Sequence, residues 1–271
     1  MVRDVTIGQY YPVNSAVHRL DPRVKLLGTL LFLISVFFIN NAETFVIVTF
    51  FLILVIRLSR VPFRLMLRSM RAILVILVIT FIISALFTPG TELWRAGAVK
   101  ITREGLNSGI YMSLRLAYLV IGASVMTLTT TPNKLTDGME KGLGFLKIFR
   151  IPVHELAMMM SIALRFIPIL MDELDKIIKA QKARGADFES HDLVKRVRGL
   201  VPILVPLFVS AIRRADELAS AMDARCYHGG EGRTKMKPLI YRRADLIAYG
   251  VIFVYTAAVI FLSIHPFIWR Q

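Results

Sequence analysis

Hydrophobic and polar positions fall in long blocks along this chain. Five apolar blocks, approximately residues 24–39, 44–58, 72–88, 106–130 and 246–264, have lengths near the roughly 17 to 25 residues that a hydrocarbon core requires, the first two being short. Only Asn40, Asn41, Ala42 and Glu43 separate the first two, which predicts a tight helical hairpin that need not cross fully. Between the fourth and fifth blocks the pattern changes to helical periodicity with polar faces. Thr131 before Pro132 predicts a helix start, with the hydroxyl as cap and proline in the first turn, and the glycines at 142 and 144 predict its stop. A second helix is expected from Pro152, with Leu156, Met159, Ala163, Ile167, Leu170, Leu174, Ile177 and Ile178 as an apolar stripe. Its later polar face carries Asp172, Glu173, Asp175, Lys176 and Lys179. A third is expected from about Asp192 to Arg225, apolar nearly all round from Leu200 to Ile212, so its middle should be buried in protein or lipid. Pro168 in the second helix and Pro202 and Pro206 in the third predict bends.

The expected fold is therefore all-α: a polytopic membrane protein with about five membrane helices and a cytoplasm-facing bundle of amphipathic helices. It divides into residues 1–130, 131–235 and 236–271.

Composition agrees, since 55% of the 271 residues are hydrophobic and the mean hydropathy is +0.60, more than a soluble domain usually hides from water. Lys and Arg number 34 against 19 Asp and Glu, a net charge of +15, and they cluster. Arg3, Arg19, Arg23 and Lys25 precede the first span, and Arg57, Arg60, Arg64, Arg68 and Arg71 lie between the second and third. By the positive-inside rule those sides are cytoplasmic, the N-terminus is in and the C-terminus out. No nucleic-acid-binding signature accompanies the charge, so nucleic acid is not an expected partner and the bilayer is. Residues 1–15 lack the apolar core and cleavage site of a signal peptide, and insertion is expected to use the first span. A single cysteine, Cys226, excludes an internal disulfide and a cysteine metal cage. Arg115 falls within the fourth block, where a charge must face a substrate path, helix-end carbonyls or a carboxylate.

The second and third amphipathic helices end alike. Residues 167–186 read IPILMDELDKIIKAQKARGA and residues 205–226 read VPLFVSAIRRADELASAMDARC. Each runs from proline through an apolar turn and Asp-Glu-Leu to Ala-Arg and a small residue. Cations in a last helical turn with glycine just beyond are ordinary helix-end chemistry. Two such ends in adjacent amphipathic helices also suit docking plugs, because arginine offers a planar fork of donors to carboxylates or carbonyls.

At these residues the chain resembles the T component, the transmembrane coupling subunit of the CbiQ/EcfT-like family in energy-coupling factor (ECF) ABC transporters, importers of vitamins and transition metals. Three stretches carry the likeness: NSAVHRLDPRVKLL at residues 14–27, the Ala183-Arg184-Gly185 motif, and AMDARCYHGGEGRTK at residues 221–235. Cys226 stands where the family pattern usually has glycine, and it is expected to end that helix differently.

The resemblance implies a non-catalytic scaffold in the plasma membrane of a prokaryote. Two cytoplasmic ABC ATPases, as a heterodimer, would grip the helix ends, and a small membrane-embedded S component would capture the substrate. Arg184 and Arg225, with Ala183, Gly185, Ala224 and Cys226, would be the ATPase contacts. Met158, Met159, Met160 and Met171 would offer the S component an adaptable apolar surface, if they are not ordinary packing residues. The chain itself would bind no cofactor, ATP and Mg being used by the partner ATPases.

No GxxxxGK[ST] loop occurs, so ATP hydrolysis in the P-loop manner is not expected of this chain. His18, His154, His191, His228 and His265 have no close ligand spacing and are expected as surface or capping residues, with no metal site. The run from His228 to Gly232 is expected as a flexible connection rather than a phosphate cradle. The rival readings are a stand-alone permease or channel using Arg115, and a membrane enzyme using Asp172, Glu173 and Asp175 or His154 and Glu155. The latter residues are expected on solvated faces.

Overall fold

The computed structural model describes residues 10–39, 41–96, 99–186, 193–230, 236 and 238–265. Its helices are α1 (Ala16–Arg19), α2 (Pro22–Phe37), α3 (Ala42–Ser59), α4 (Phe63–Phe87), α5 (Arg103–Thr129), α6 (Pro132–Gly142), α7 (Val153–Ala183), α8 (Leu193–Ala224) and α9 (Arg243–Ile264), with a 3-10 helix at Gly144–Phe149. A two-stranded antiparallel hairpin, β1 (Glu92–Ala96) and β2 (Val99–Thr102), joins α4 to α5. The class is the expected all-α membrane fold, with this hairpin as a small addition. His191, Asp192 and Arg3 lie outside the described residues.

Among the described residues, four helices are long and apolar enough to cross a membrane: α3, α5, α7 and α9, with a shorter apolar stretch at Ile73–Phe87 in α4. α7 was expected as an amphipathic helix and qualifies as a span by length and composition. α2 has only 16 residues, about 24 Å at 1.5 Å per residue, in keeping with a hairpin that crosses incompletely. α4 starts at Phe63, nine residues before the expected third span. Arg64 and Arg71 are thus on its first turns and not in a loop.

The described residues divide into two compact units, one within Gly8–Met139 and Leu239–Gln271 and the other within Glu140–Pro238. In the first, local side-chain caps set the starts of α1, α2 and α5. Ser15 caps α1 by accepting from the His18 amide at 3.2 Å. Asp21 caps α2 by accepting from the Arg23 amide at 2.9 Å, with Pro22 supplying a preset φ. Thr102 caps α5 through the Gly105 amide at 3.0 Å.

One carboxylate then ties two helix starts together. Asp245, in the first turn of α9, accepts from the Arg242 amide of its own helix at 2.7 Å and from the Asp21 amide of α2 at 2.7 Å. Both amides are donors that no helical carbonyl can satisfy. At the other end Asn41 Nδ2 donates to the Leu262 carbonyl and Ser263 Oγ to the Phe38 carbonyl. α2 and α9 therefore run parallel. α5 runs against α2, because Lys25 Nζ donates to Thr129 O at 2.9 Å and the Tyr11 amide to Leu128 O. α4 and α5 are antiparallel neighbours across the hairpin, with Gly109 against Phe81 and Ser113 Oγ on Leu77 O.

The core between α2, α3 and α9 comprises Phe32, Val36, Ile39, Phe45, Val48, Leu52, Tyr255 and Val259. Phe51 stacks on Tyr255 with centroids 3.9 Å apart. Two polar pairs lie in or against it, as an apolar solvent favours: Ser35 Oγ with Tyr255 OH at 2.7 Å, and Thr49 Oγ1 with Tyr118 OH at 2.6 Å.

Candidate functional site

The unit within Glu140–Pro238 is built on α7 and α8, which pack together. Expected and observed limits agree closely: α7 begins one residue after Pro152, and α8 runs from Leu193 to Ala224. Pro206 lacks an amide hydrogen, which leaves the Pro202 carbonyl without its helical donor. Gln181 Nε2 of α7 donates to that carbonyl at 3.4 Å. Further along, Glu173 accepts from Ser210 Oγ at 2.7 Å and from Arg214 Nη2. Glu173 was expected on a solvated face; it is instead the polar tie between the helices, because Ser210 and Arg214 share one face of α8 at helical spacing.

These contacts make the helices antiparallel, residue 173 lying by 210–214 and residue 181 by 202. Arg184 and Arg225 therefore point away from the crossing in opposite directions, roughly 30 Å apart at 1.5 Å of rise per residue.

The two ends have the same backbone construction. In α7 the Gly185 amide donates to Lys182 O at 3.0 Å and the Ala186 amide to Gln181 O at 3.0 Å, with Gly185 at φ 86°. In α8 the Cys226 amide donates to Asp223 O at 2.9 Å and the Tyr227 amide to Met222 O at 3.1 Å, with Cys226 at φ 53°. Both are Schellman endings with a left-handed residue just past the cap. The expectation that Cys226 ends its helix differently is overturned: cysteine takes the conformation glycine would take. The paired hydrogen bonds hold it there against a strain of about 1 kcal/mol. Arg184 and Arg225 are the corresponding cap residues and both are exposed, as are Ala183, Gly185, Ala224 and Cys226.

Of the four methionines, Met159 and Met160 are exposed on α7 and Met158 and Met171 are half-buried. A broader apolar face is on α8, where Leu200, Val201, Leu204, Val205, Phe208, Val209 and Ile212 are all exposed. That run is legible in the sequence as nearly all-round apolar, but its status as an uncovered stripe needed the fold. Large apolar stripes of this kind mark contact with a partner or lipid.

His154 and Glu155 do not form a solvated pair either. His154 Nδ1 meets Glu140 Oε1 at 2.9 Å, and Gly230 packs against the imidazole so closely that a Cβ there would lie 2.2 Å from it. Gly230 is required for this approach. His18 departs from a surface role too: it is buried, with Ser15 Oγ at 2.7 Å from Nδ1 and the Tyr11 carbonyl at 3.0 Å from Nε2. The carbonyl can only accept, so Nε2 carries the hydrogen and the Ser15 hydroxyl donates to Nδ1. Burial pushes the pKa of His18 below its ordinary value, the nearby Lys25 and Lys134 adding to the effect and the Tyr11 carbonyl opposing it. His228 and His265 are exposed.

Arg115 is half-buried and its Nη2 donates to the Ile39 carbonyl, at the end of α2, at 2.6 Å. Of the readings open from the sequence, this is the contact to a helix-end carbonyl. Among the described residues no group of three or more His, Cys, Asp or Glu could hold a metal ion.

Comparison with known proteins gives one answer. Residues 13–236 match the family model CbiQ, cobalt transport protein. Over 263 residues the chain is 48% identical to the energy-coupling factor transporter transmembrane protein EcfT of Ruminiclostridium cellulolyticum, covering 97% of this chain and 98% of that one. The EcfT of Bacillus subtilis is also 48% identical over 263 residues, covering 97% and 99%. That of Acidaminococcus fermentans is 50% identical over 247 residues, covering 91% and 92%.

Proposed function

The chain belongs to the CbiQ/EcfT-like family of energy-coupling factor transporter transmembrane components, and we propose that it relays ATP-driven motion from a pair of ABC ATPases to a substrate-capturing S component. The observation that carries this reading is the crossed pair of α7 and α8, with like arginine-bearing ends facing opposite ways. An antiparallel pair with similar ends has an approximate two-fold axis at its crossing, and so has a dimer of similar subunits. Each ATPase can then take one end, Arg184 in one groove and Arg225 in the other, by charge-assisted bonds to carboxylates or carbonyls.

The Glu173 tie to Ser210 and Arg214 supports joint movement of the two helices when the ATPases close and open. The uncovered stripe from Leu200 to Ile212, together with Met159 and Met160, suits a membrane-embedded S component whose surface varies, since methionine and aliphatic side chains repack readily. The substrate is a vitamin or similar micronutrient, chosen by the S component. This chain carries no catalysis and no cofactor, and ATP and Mg belong to the ATPases. The basic residues at the starts of α2, α4 and α9 support a reading in which the N-terminus and the coupling helices lie on the cytoplasmic side of a prokaryotic plasma membrane. Arg115 serves the α2 end, which favours this role over a stand-alone permease.

The test is uptake by the transporter reconstituted with its ATPases and S component, comparing Arg184→Ala, Arg225→Ala and the double variant. Membrane insertion should be retained in all three. Uptake should fall in each single variant and most in the double. Undiminished uptake in the double variant, or substrate flux through the purified chain alone, would overturn the proposal.

A further inference from the structure

A cavity of about 530 Å³ opens in the unit that holds α1–α5 and α9. Its walls are almost wholly apolar: Val24, Leu52 and Val125 are buried at its back, while Leu54 and Leu58 of α3 and Ile247 and Val251 of α9 are exposed at its mouth. Its polar end is cationic. Arg19, exposed on α1, borders it, and Lys25 is fixed in its wall by bonds from Nζ to the His18 and Thr129 carbonyls. No Asp or Glu is among the lining residues. Exposed Arg57 adjoins Leu58 in sequence, and exposed Arg243 lies one turn before Ile247.

We propose that this cavity is a binding site for an anionic glycerophospholipid, one acyl chain lying between α3 and α9 and the phosphate held by Arg19. The volume is in the range of about 300 to 1,000 Å³ typical of small-ligand sites. A flexible acyl chain suits walls that are almost wholly apolar. Its mouth is bordered by α3 and α9, two of the helices long and apolar enough to cross a membrane, so a lipid reaches it from the bilayer without entering water. Arg19 at the polar end, with no carboxylate among the lining residues, selects a net negative headgroup over a zwitterionic one.

Two measurements test this on the full-length chain. Native mass spectrometry of the delipidated protein, with phosphatidylglycerol or phosphatidylcholine of the same acyl chains added, should show one lipid retained, with phosphatidylglycerol preferred. Ala248→Phe, which fills the cavity from α9, should reduce binding of both on the order of tenfold or more, because each methylene kept out costs about a fourfold drop. Arg19→Gln should weaken retention of phosphatidylglycerol about fivefold and that of phosphatidylcholine less, because the choline cation already offsets its phosphate, so the preference for phosphatidylglycerol narrows.

The second measurement needs no variant: in vesicles, a phosphatidylglycerol with a photoreactive acyl tip should label residues 52–58, 122–129 and 244–252 of the wild-type chain. Equal retention of both lipids, or labelling spread evenly over the outer face of α4, would overturn the proposal. Labelling that disappears when the whole transporter is assembled would assign the cavity to a partner segment and would also overturn it. Loss of uptake in the arginine double variant bears on neither readout, so the lipid site and the coupling role fail separately.

Discussion

Asp245 should be the side chain whose loss most weakens the unit formed by α1–α5 and α9. It is 1% exposed, and each carboxylate oxygen receives a backbone amide at 2.7 Å, one from the start of α2 and one from the start of α9. Burying a carboxylate is itself unfavourable, but here two amide donors and the positive ends of two helices face it. Removing it in Asp245→Ala leaves the Asp21 amide buried without an acceptor, about 1 to 3 kcal/mol. The Arg242 amide is nearer solvent and recovers water, so its loss is about 1 kcal/mol. The net destabilisation should therefore be about 2 to 4 kcal/mol. Asp245→Asn keeps one acceptor but turns an amide donor towards a backbone donor, and should lie between wild type and alanine. Unfolding in mixed maltoside and dodecyl sulfate micelles, followed by far-ultraviolet circular dichroism, gives the difference. Hydrogen exchange at the Asp21 amide locates it, since exchange there should accelerate in Asp245→Ala although the sequence change is 224 residues away. An alanine variant within about 0.5 kcal/mol of wild type, or an unaltered Asp21 amide, would refute the reasoning.

The two Schellman endings give an asymmetric pair of outcomes in the same unfolding assay. Cys226→Gly relieves a non-glycine residue at φ 53° and should stabilise by about 1 kcal/mol with uptake unchanged, while Gly185→Ala at φ 86° should destabilise by a similar amount. For His18 the sign follows from a folded pKa that lies below the ordinary 6.5. The folded state prefers the neutral ring, so stability is full above that value and is lost as pH falls through 6.5 and towards the folded pKa. His18→Gln should flatten that loss in a melting-temperature series between about pH 5 and 7.

The helices of the coupling region were legible because their ends are written locally. Pro152 starts α7, and an Ala-Arg pair followed by a small residue stops both α7 and α8, and such signals act within a few residues. The membrane helices were legible as apolar spans but not in their full length. α4 reaches back to Phe63 through arginines that break the apolar block without breaking the backbone, since arginine is a good helix former. The β1–β2 hairpin was missed because strands of five and four residues are too short to show alternation. What no local pattern could reveal was pairing at long range: Asp245 with the start of α2, Gln181 with the carbonyl that Pro206 leaves free, and Glu173 with Arg214. In the last case Glu173 read as part of a solvated charged face, because its partners on α8 lie 37 and 41 residues away.

The endings also decide what the two arginines are for. An arginine in a last turn can be explained by the helix dipole alone, which is worth about 0.3 to 1 kcal/mol at an exposed site. Here the bonds that close each helix run from the amides of residues 185 and 186, and of 226 and 227, to backbone carbonyls. Neither guanidinium takes part in them. The cap would form with almost any side chain at 184 or 225, so among the described residues the dipole supplies the local reason for arginine. That reason is small beside the side-chain freedom surrendered when a long cation is held in one place. If the arginines served only the helix ends, substituting glutamine at both positions would cost no more than the dipole terms and would leave uptake intact. If they are the contacts with the ATPases, the same change should leave the unfolding curve within about 1 kcal/mol of wild type per site and abolish uptake. That separation of stability from transport is available because the backbone, and not the arginine, makes the cap.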